Sequence, residues 1–158
     1  MLPPAEEPMS DARFYDELIM DHIRNARNYR VLTDASHDAA GSNPLCGDEM
    51  RVYIRIDGRR IADAGFQCTC CGISMASASI MTTMLIGAAT DEAQLLLREF
   101  GALVNARTAP ASQPASAEWR ALRDTVIRFP ARIRCAVLPW TTLEQALQEG
   151  RSAEREQI

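Results

Sequence analysis

The stretch EMRVYIRIDGRRIADAGF, residues 49–66, restricts the fold more than any other part of the chain. Met50, Val52, Ile54 and Ile56 alternate with polar or semi-polar residues, the period of a strand with one buried face. Asp57-Gly58 is a strong hairpin turn, and a second strand follows through Ile61 toward Phe66. The sheet built on this pair is expected to be antiparallel.

Helical signals surround the hairpin. DARFYDELIMDHIRN spaces Phe14, Leu18, Ile19 and Ile23 for a helix that Ser10 can cap. SMASASIMTTMLIGAA reads as a helix of small and Met-rich residues, capped by Ser74 or a neighbour and packed closely against another element. TDEAQLLLREFGALVN opens with Thr90 and two acids, a helix start. AEWRALRDTVIRF is a further helix. Pro130 can begin another, which Pro139 is expected to break or restart. Residues 26–48 are rich in Asn, Asp, Ser, Gly and Pro and read as one long irregular segment. Residues 1–9 read as a tail, ARTAPASQPAS as a surface connection, and 151–158 as a polar end.

These 158 residues suit one domain, set at residues 10–150. The net charge of −4 gives no reason to expect nucleic acid or an anionic membrane as partner. No apolar run approaches the roughly 20 residues of a membrane helix, and the start lacks the layout of a secretory signal. A cytoplasmic protein is the expectation. In that compartment five cysteines fit metal or sulfur chemistry better than a disulfide framework.

Three cysteines stand at boundaries between expected elements. Cys46 ends the irregular segment, Cys71 lies between hairpin and helix, and Cys135 sits near the start of the last helical region. Asp48 follows Cys46 across Gly47, a spacing that lets a thiolate and a carboxylate face one side of a turn. Three thiolates and a carboxylate suit tetrahedral zinc, and Arg132 and Arg134 can offset the negative charge. There is no CxxC pair, and ligands drawn from distant segments obey no spacing rule. The same cysteines can equally be a loop thiol and two buried small hydrophobes. His22 reads as an exposed or half-buried helix residue and His37 as a solvated loop residue. SMASASIMTT lacks a hydrolase signature, so its serines read as packing and caps.

ARNYRVLTDASHDAAGSNPLCGDEMRVYIRIDGRRIADAGF, then CGISMASASIMT, then FPARIRCAVLPWTTLEQAL, resembles the SufU branch of the IscU/NifU-N superfamily of iron–sulfur assembly proteins over most of residues 13–148. Two features favour that branch. Arg134 stands where IscU-type scaffolds carry a His before the last cysteine, and residues 87–128 are long enough for the SufU insertion. The resemblance implies an α+β fold, a small antiparallel sheet with helices packed on one side. It implies one metal, zinc, on Cys46, Asp48, Cys71 and Cys135. It implies a zinc-dependent sulfurtransferase in which Cys46 accepts persulfide sulfur from a PLP-dependent, SufS-like cysteine desulfurase and passes it to the downstream Suf cluster-assembly machinery. Arg132 matches an arginine that can contact the partner. The alternative is an IscU-like scaffold holding a transient [2Fe–2S] cluster on the same ligands. In Cys68-Thr69-Cys70-Cys71 the Cys-x-Ile-Ser spacing makes Cys71 the ligand. Cys68 and Cys70 then occupy positions that are usually glycine, with strain or a reshaped turn expected there. Extra thiols at this place can relay sulfur, compete for metal, form a regulatory disulfide or be accidental.

Overall fold

A computed structural model describes residues 11–44, 47–106 and 116–149. Three strands, β1 (His37–Asn43), β2 (Asp48–Asp57) and β3 (Arg60–Thr69), form one antiparallel sheet in the order β1-β2-β3. The helices are α1 (Asp11–Arg24), α2 (Gly72–Leu85), α3 (Thr90–Ala106), α4 (Ala117–Arg128) and α5 (Ile133–Glu149), with a 3-10 turn at Pro130–Arg132 before α5. Among the described residues no helix is long and apolar enough to cross a membrane. The expected Ser10 cap, both tails and most of ARTAPASQPAS lie outside these residues, and the region suggested for an insertion holds α3 and α4.

The hairpin forms as its alternation requires. Met50, Val52 and Ile54 turn one face inward with Ala64 and Phe66 from β3, and all five are buried. Gly58 supplies φ +64 at the turn. One strand was not foreseen. His37–Asn43, inside the segment expected to be irregular, is β1, although HDAAGSN lacks the branched residues that mark strands. Its place comes from tertiary contact. Ala39 is fully buried, and a Cβ added at Gly41 would lie 2.1 Å from Thr142 Oγ1, so β1 lies close against α5. His37 therefore sits in a strand, half-buried against the Ser36 hydroxyl at 2.8 Å, and is not a solvated loop residue. The outer edge of β3 is covered in part by Asn28–Arg30, through Arg30 N–H to Phe66 O at 2.9 Å and Phe66 N–H to Asn28 O at 3.0 Å.

Helix α2 runs through the middle of the molecule, touching α1, α5 and β3. Its small residues permit this, since Ala76, Ser77, Ala78 and Ser79 are all buried. Each buried hydroxyl has a partner, as burial demands. Ser77 Oγ donates to Ala136 O at 2.7 Å and accepts from Trp140 Nε1 at 3.0 Å. Ser79 Oγ accepts from the Arg27 N–H at 2.8 Å and shares a hydrogen bond with His22 Nδ1 at 2.7 Å. His22 is thus buried at 1% exposure, contrary to the reading of it as exposed or half-buried, because α1 lays this face onto α2. Burial first, and then the Arg27 charge, hold its pKa below the ordinary histidine value.

Helix α5 runs unbroken through Pro139, which was expected to break or restart it. A proline removes the bond to the carbonyl four residues earlier and crowds it. Here that carbonyl belongs to Cys135, and it receives another donor, described below.

Candidate metal centre

The start of β2, the start of α2 and the first turn of α5 meet at one point. Each brings one ligand-type side chain: Asp48, Cys71 and Cys135. Their ligand atoms all lie within 4.8 Å of one another. Asp48 and Cys135 are 6% exposed, and Cys71 is half-buried. A carboxylate so deeply placed needs partners. Asp48 Oδ1 accepts the backbone N–H of Cys71 at 3.2 Å, and Oδ2 accepts from Ser74 Oγ at 3.0 Å. Cys71 is the residue before the first turn of α2, so the positive end of the helix dipole faces the acid.

Ser74, expected as a helix cap, is instead the hub of this cluster. Fully buried in the first turn of α2, it lies 2.9 Å from the carbonyl oxygen of Cys135 and 3.7 Å from Cys71 Sγ. The Cys135 carbonyl is the one Pro139 leaves without its helical donor. A proline in α5 and a serine in α2 together fix the backbone of Cys135. The sequence holds a signal for this pairing, a proline four residues after a cysteine, although the identity of the new donor depends on tertiary packing.

Of the expected ligands, Asp48, Cys71 and Cys135 converge, while Cys46 lies outside the described residues. Its neighbour Gly47 has φ +75 and donates its N–H to Asn43 O at 2.8 Å, which ties the start of β2 to the end of β1. Arg132, in the 3-10 turn, and Arg134, in the first turn of α5, are both exposed. The donor set fits a zinc-type ion. Bonds of about 2.0–2.3 Å in a tetrahedron separate ligand atoms by about 3.3–3.8 Å, so small rotations of side chains already within 4.8 Å would close the site.

Cys68 and Cys70 form a disulfide, with Cα atoms 5.4 Å apart. Among the described residues positive φ outside glycine occurs only at Asn28, so the strain expected at the two cysteines is absent. Cys68 simply continues β3, opposite Met50. Gly72, expected to lend the turn freedom, serves packing, because a Cβ there would come 3.0 Å from Ile23 Cδ1 of α1.

The sequence profile described as the NifU-like N terminal domain matches residues 14–149. The chain belongs to that family. It is 39% identical over 138 residues to the zinc-dependent sulfurtransferase SufU of Bacillus subtilis, covering 86% of this chain and 92% of the relative. It is 30% identical over 135 residues to the iron–sulfur cluster assembly scaffold protein IscU of Thermotoga maritima, covering 85% and 93%. Among solved structures it resembles a SUF-system protein of Fervidobacterium islandicum described as an iron–sulfur cluster assembly scaffold. That match has a TM-score of 0.72 and 30% identity, with 83% and 94% of the two chains covered. A NifU-like N-terminal protein of Brucella abortus shares the fold, with a TM-score of 0.74 at 21% identity over 85% and 92% of the two chains. The α+β architecture expected from the resemblance is the one observed.

Proposed function

We propose that this chain is a zinc-dependent sulfur-transfer protein for iron–sulfur cluster assembly, acting in the cytoplasm as a single domain over residues 10–150. Cys46 is the sulfur acceptor, and Cys46, Asp48, Cys71 and Cys135 are the metal ligands. The observation that carries this reading is the convergence of Asp48, Cys71 and Cys135 from three distant segments into one buried cluster. The likeness to a zinc-dependent sulfurtransferase along most of both chains supports it.

Bound zinc would supply positive charge that favours the thiolate form of its cysteine ligands. The remaining work belongs to the chain. Ser74 and the Cys71 N–H hold Asp48 in place by both oxygens. Gly47, the residue after the acceptor, has φ +75, a conformation that other residues rarely adopt. The Cys46 thiolate attacks the outer sulfur of a persulfide carried by a PLP-dependent, SufS-like cysteine desulfurase. A sulfur–sulfur bond forms on Cys46, and the partner cysteine leaves as its thiolate. Exposed Arg132, beside the last ligand, contacts the docked desulfurase.

The test is persulfide transfer from a cysteine desulfurase, with zinc measured in parallel. Cys46→Ser is expected to lose acceptance of sulfur. Cys71→Ser should lose metal, whereas Cys68→Ser and Cys70→Ser should keep it. Undiminished transfer to Cys46→Ser would end this reading. The likeness to IscU supports a second one, a scaffold holding a transient [2Fe–2S] cluster on the same ligands. A brown, cluster-donating form that takes no sulfur on Cys46 would establish that alternative.

A further inference from the structure

The turn that delivers Cys71 also carries the Cys68–Cys70 disulfide, and neither of these sulfurs belongs to the proposed ligand set. Two explanations compete, a structural brace and a redox-active pair. A brace gains most by closing a long loop of the unfolded chain. This bond joins residues only two apart, so it restricts the unfolded chain very little. The turn is held by other means. Tyr29 Oη donates to Cys68 O at 2.9 Å, and the first helical bond of α2 runs from Met75 N–H to Cys71 O at 3.0 Å. Both sulfur-bearing residues are half-buried, neither sealed in the core nor free of it. Partial exposure leaves the bond within reach of other thiols, a condition for exchange.

Their position points to what they exchange with. Cys68 pairs with Met50, two residues along β2 from Asp48, so Cys68 and Asp48 share one face of the sheet. Cys70 follows where the same register would bring it opposite Asp48, and Cys71 is its neighbour in the chain. The dithiol lies at the rim of the candidate metal centre.

Sulfane sulfur delivered to such a centre is two electrons short of sulfide. We propose that the Cys68/Cys70 pair supplies those electrons, so that the protein releases sulfide from a persulfide. This inference rests on the sulfur-transfer reading for its physiological donor. A thiolate of the reduced pair attacks the outer sulfur of a persulfide, and the donor leaves as a thiol. The second cysteine of the pair then attacks the Sγ that carries the transferred sulfur. The Cys68–Cys70 bond forms, the bond to the terminal sulfur breaks, and that sulfur leaves as hydrosulfide. Per cycle, one persulfide and two thiols give one donor thiol, one sulfide and one disulfide. The observed bond is the product state of this step, and a dithiol reductant restores the pair.

The experiment uses the full zinc-loaded chain, reduced and freed of reductant without air, with glutathione persulfide as the donor. Sulfide is trapped and counted, and the disulfide is located by mass spectrometry. Wild type is expected to release about one equivalent of sulfide and to form the Cys68–Cys70 bond together with it. Cys68→Ser, Cys70→Ser and the double variant, each checked for retained zinc and thermal stability, should release at least about tenfold less sulfide in the same time. Release from the double variant at the wild-type rate would overturn the proposal, as would wild-type release without the disulfide. Because the donor is a small molecule, failure of sulfur acceptance from a desulfurase by Cys46 is read in a separate arm and leaves this result standing or falling by itself.

Discussion

Ser74 is the residue on which the geometry of the centre depends most directly, and replacing it with alanine separates two roles. The hydroxyl has a single hydrogen, yet two acceptors lie within reach, Asp48 Oδ2 at 3.0 Å and Cys135 O at 2.9 Å. Such near-equal distances fit a shared, three-centre bond. Ser74→Ala removes a donor from a buried carboxylate, an interaction of about 1.5–3 kcal/mol for a charged acceptor. It also takes the Ser74 donor from a carbonyl that Pro139 has already deprived of its helical partner. If Asp48 holds zinc as proposed, loss of its outer partner should weaken zinc affinity about 10–100-fold, read by competition with a chromophoric chelator. The fold consequence is measured by urea unfolding of the metal-free protein, with about 1–3 kcal/mol expected.

A second substitution isolates the carbonyl. Pro139→Ala returns an N–H to position 139, which can donate to Cys135 O as in any helix. In that background Ser74→Ala should cost about 0.5–1.5 kcal/mol less than in wild type, the net value of one hydrogen bond. Equal cost in both backgrounds, together with unchanged zinc affinity, would refute the idea that the serine replaces the helical donor.

Gly41→Ala would bring a Cβ to 2.1 Å from Thr142 Oγ1, a hydroxyl held by Leu138 O at 2.7 Å, so thermal unfolding should show a loss of about 1–3 kcal/mol that adding Thr142→Ala restores in part, since Thr142 Cβ and Leu138 Cδ1 stay at 3.2 and 3.3 Å. For His22 the sign follows from its lowered pKa: the unfolded chain takes up a proton below about 6.5 and the folded chain resists it. Stability is therefore complete above that value and declines as pH falls through it toward the lowered folded value. Urea unfolding of wild type and His22→Gln at several pH values checks this, and an identical decline in both proteins would assign it elsewhere. In Ser77→Ala, Trp140 Nε1 and Ala136 O both lose a buried partner, and a loss of about 1–3 kcal/mol is expected in the same assay.

What could be read from the chain alone divides along the line between local and tertiary causes. The hairpin was legible because alternation and Asp57-Gly58 act within a few residues. Asp48, Cys71 and Cys135 stood out as candidates by their places at element boundaries, but only the family resemblance joined them into one group, since no spacing rule links a strand start, a helix start and a turn 61 residues beyond Ser74. Strand β1 was hidden because a segment of small polar residues becomes a strand only where α5 leaves room for it, as at Gly41. His22 was misread for a similar reason. Its helix gives no sign that Ser79, 57 residues away, waits to bond its ring.

Pro139 shows how a local rule can fail for a reason that belongs to the site. A proline inside a helix predicts a break, and the rule is sound for an isolated helix, where the carbonyl four residues back faces nothing better than water. In α5 that carbonyl faces α2, where Ser74 lies 2.9 Å away and Ser77, one turn on, takes the next carbonyl at 2.7 Å. The two serines stand three residues apart on α2, and the two carbonyls are consecutive on α5. The helices are therefore keyed by side chain to backbone at the point where one presents Cys71 and the other Cys135. A proline that would weaken a solitary helix here turns a backbone oxygen of one proposed ligand into a contact with the helix that bears another. The relative position of Cys71 and Cys135 is thereby set by the interlock of α2 and α5, through contacts of the chain alone.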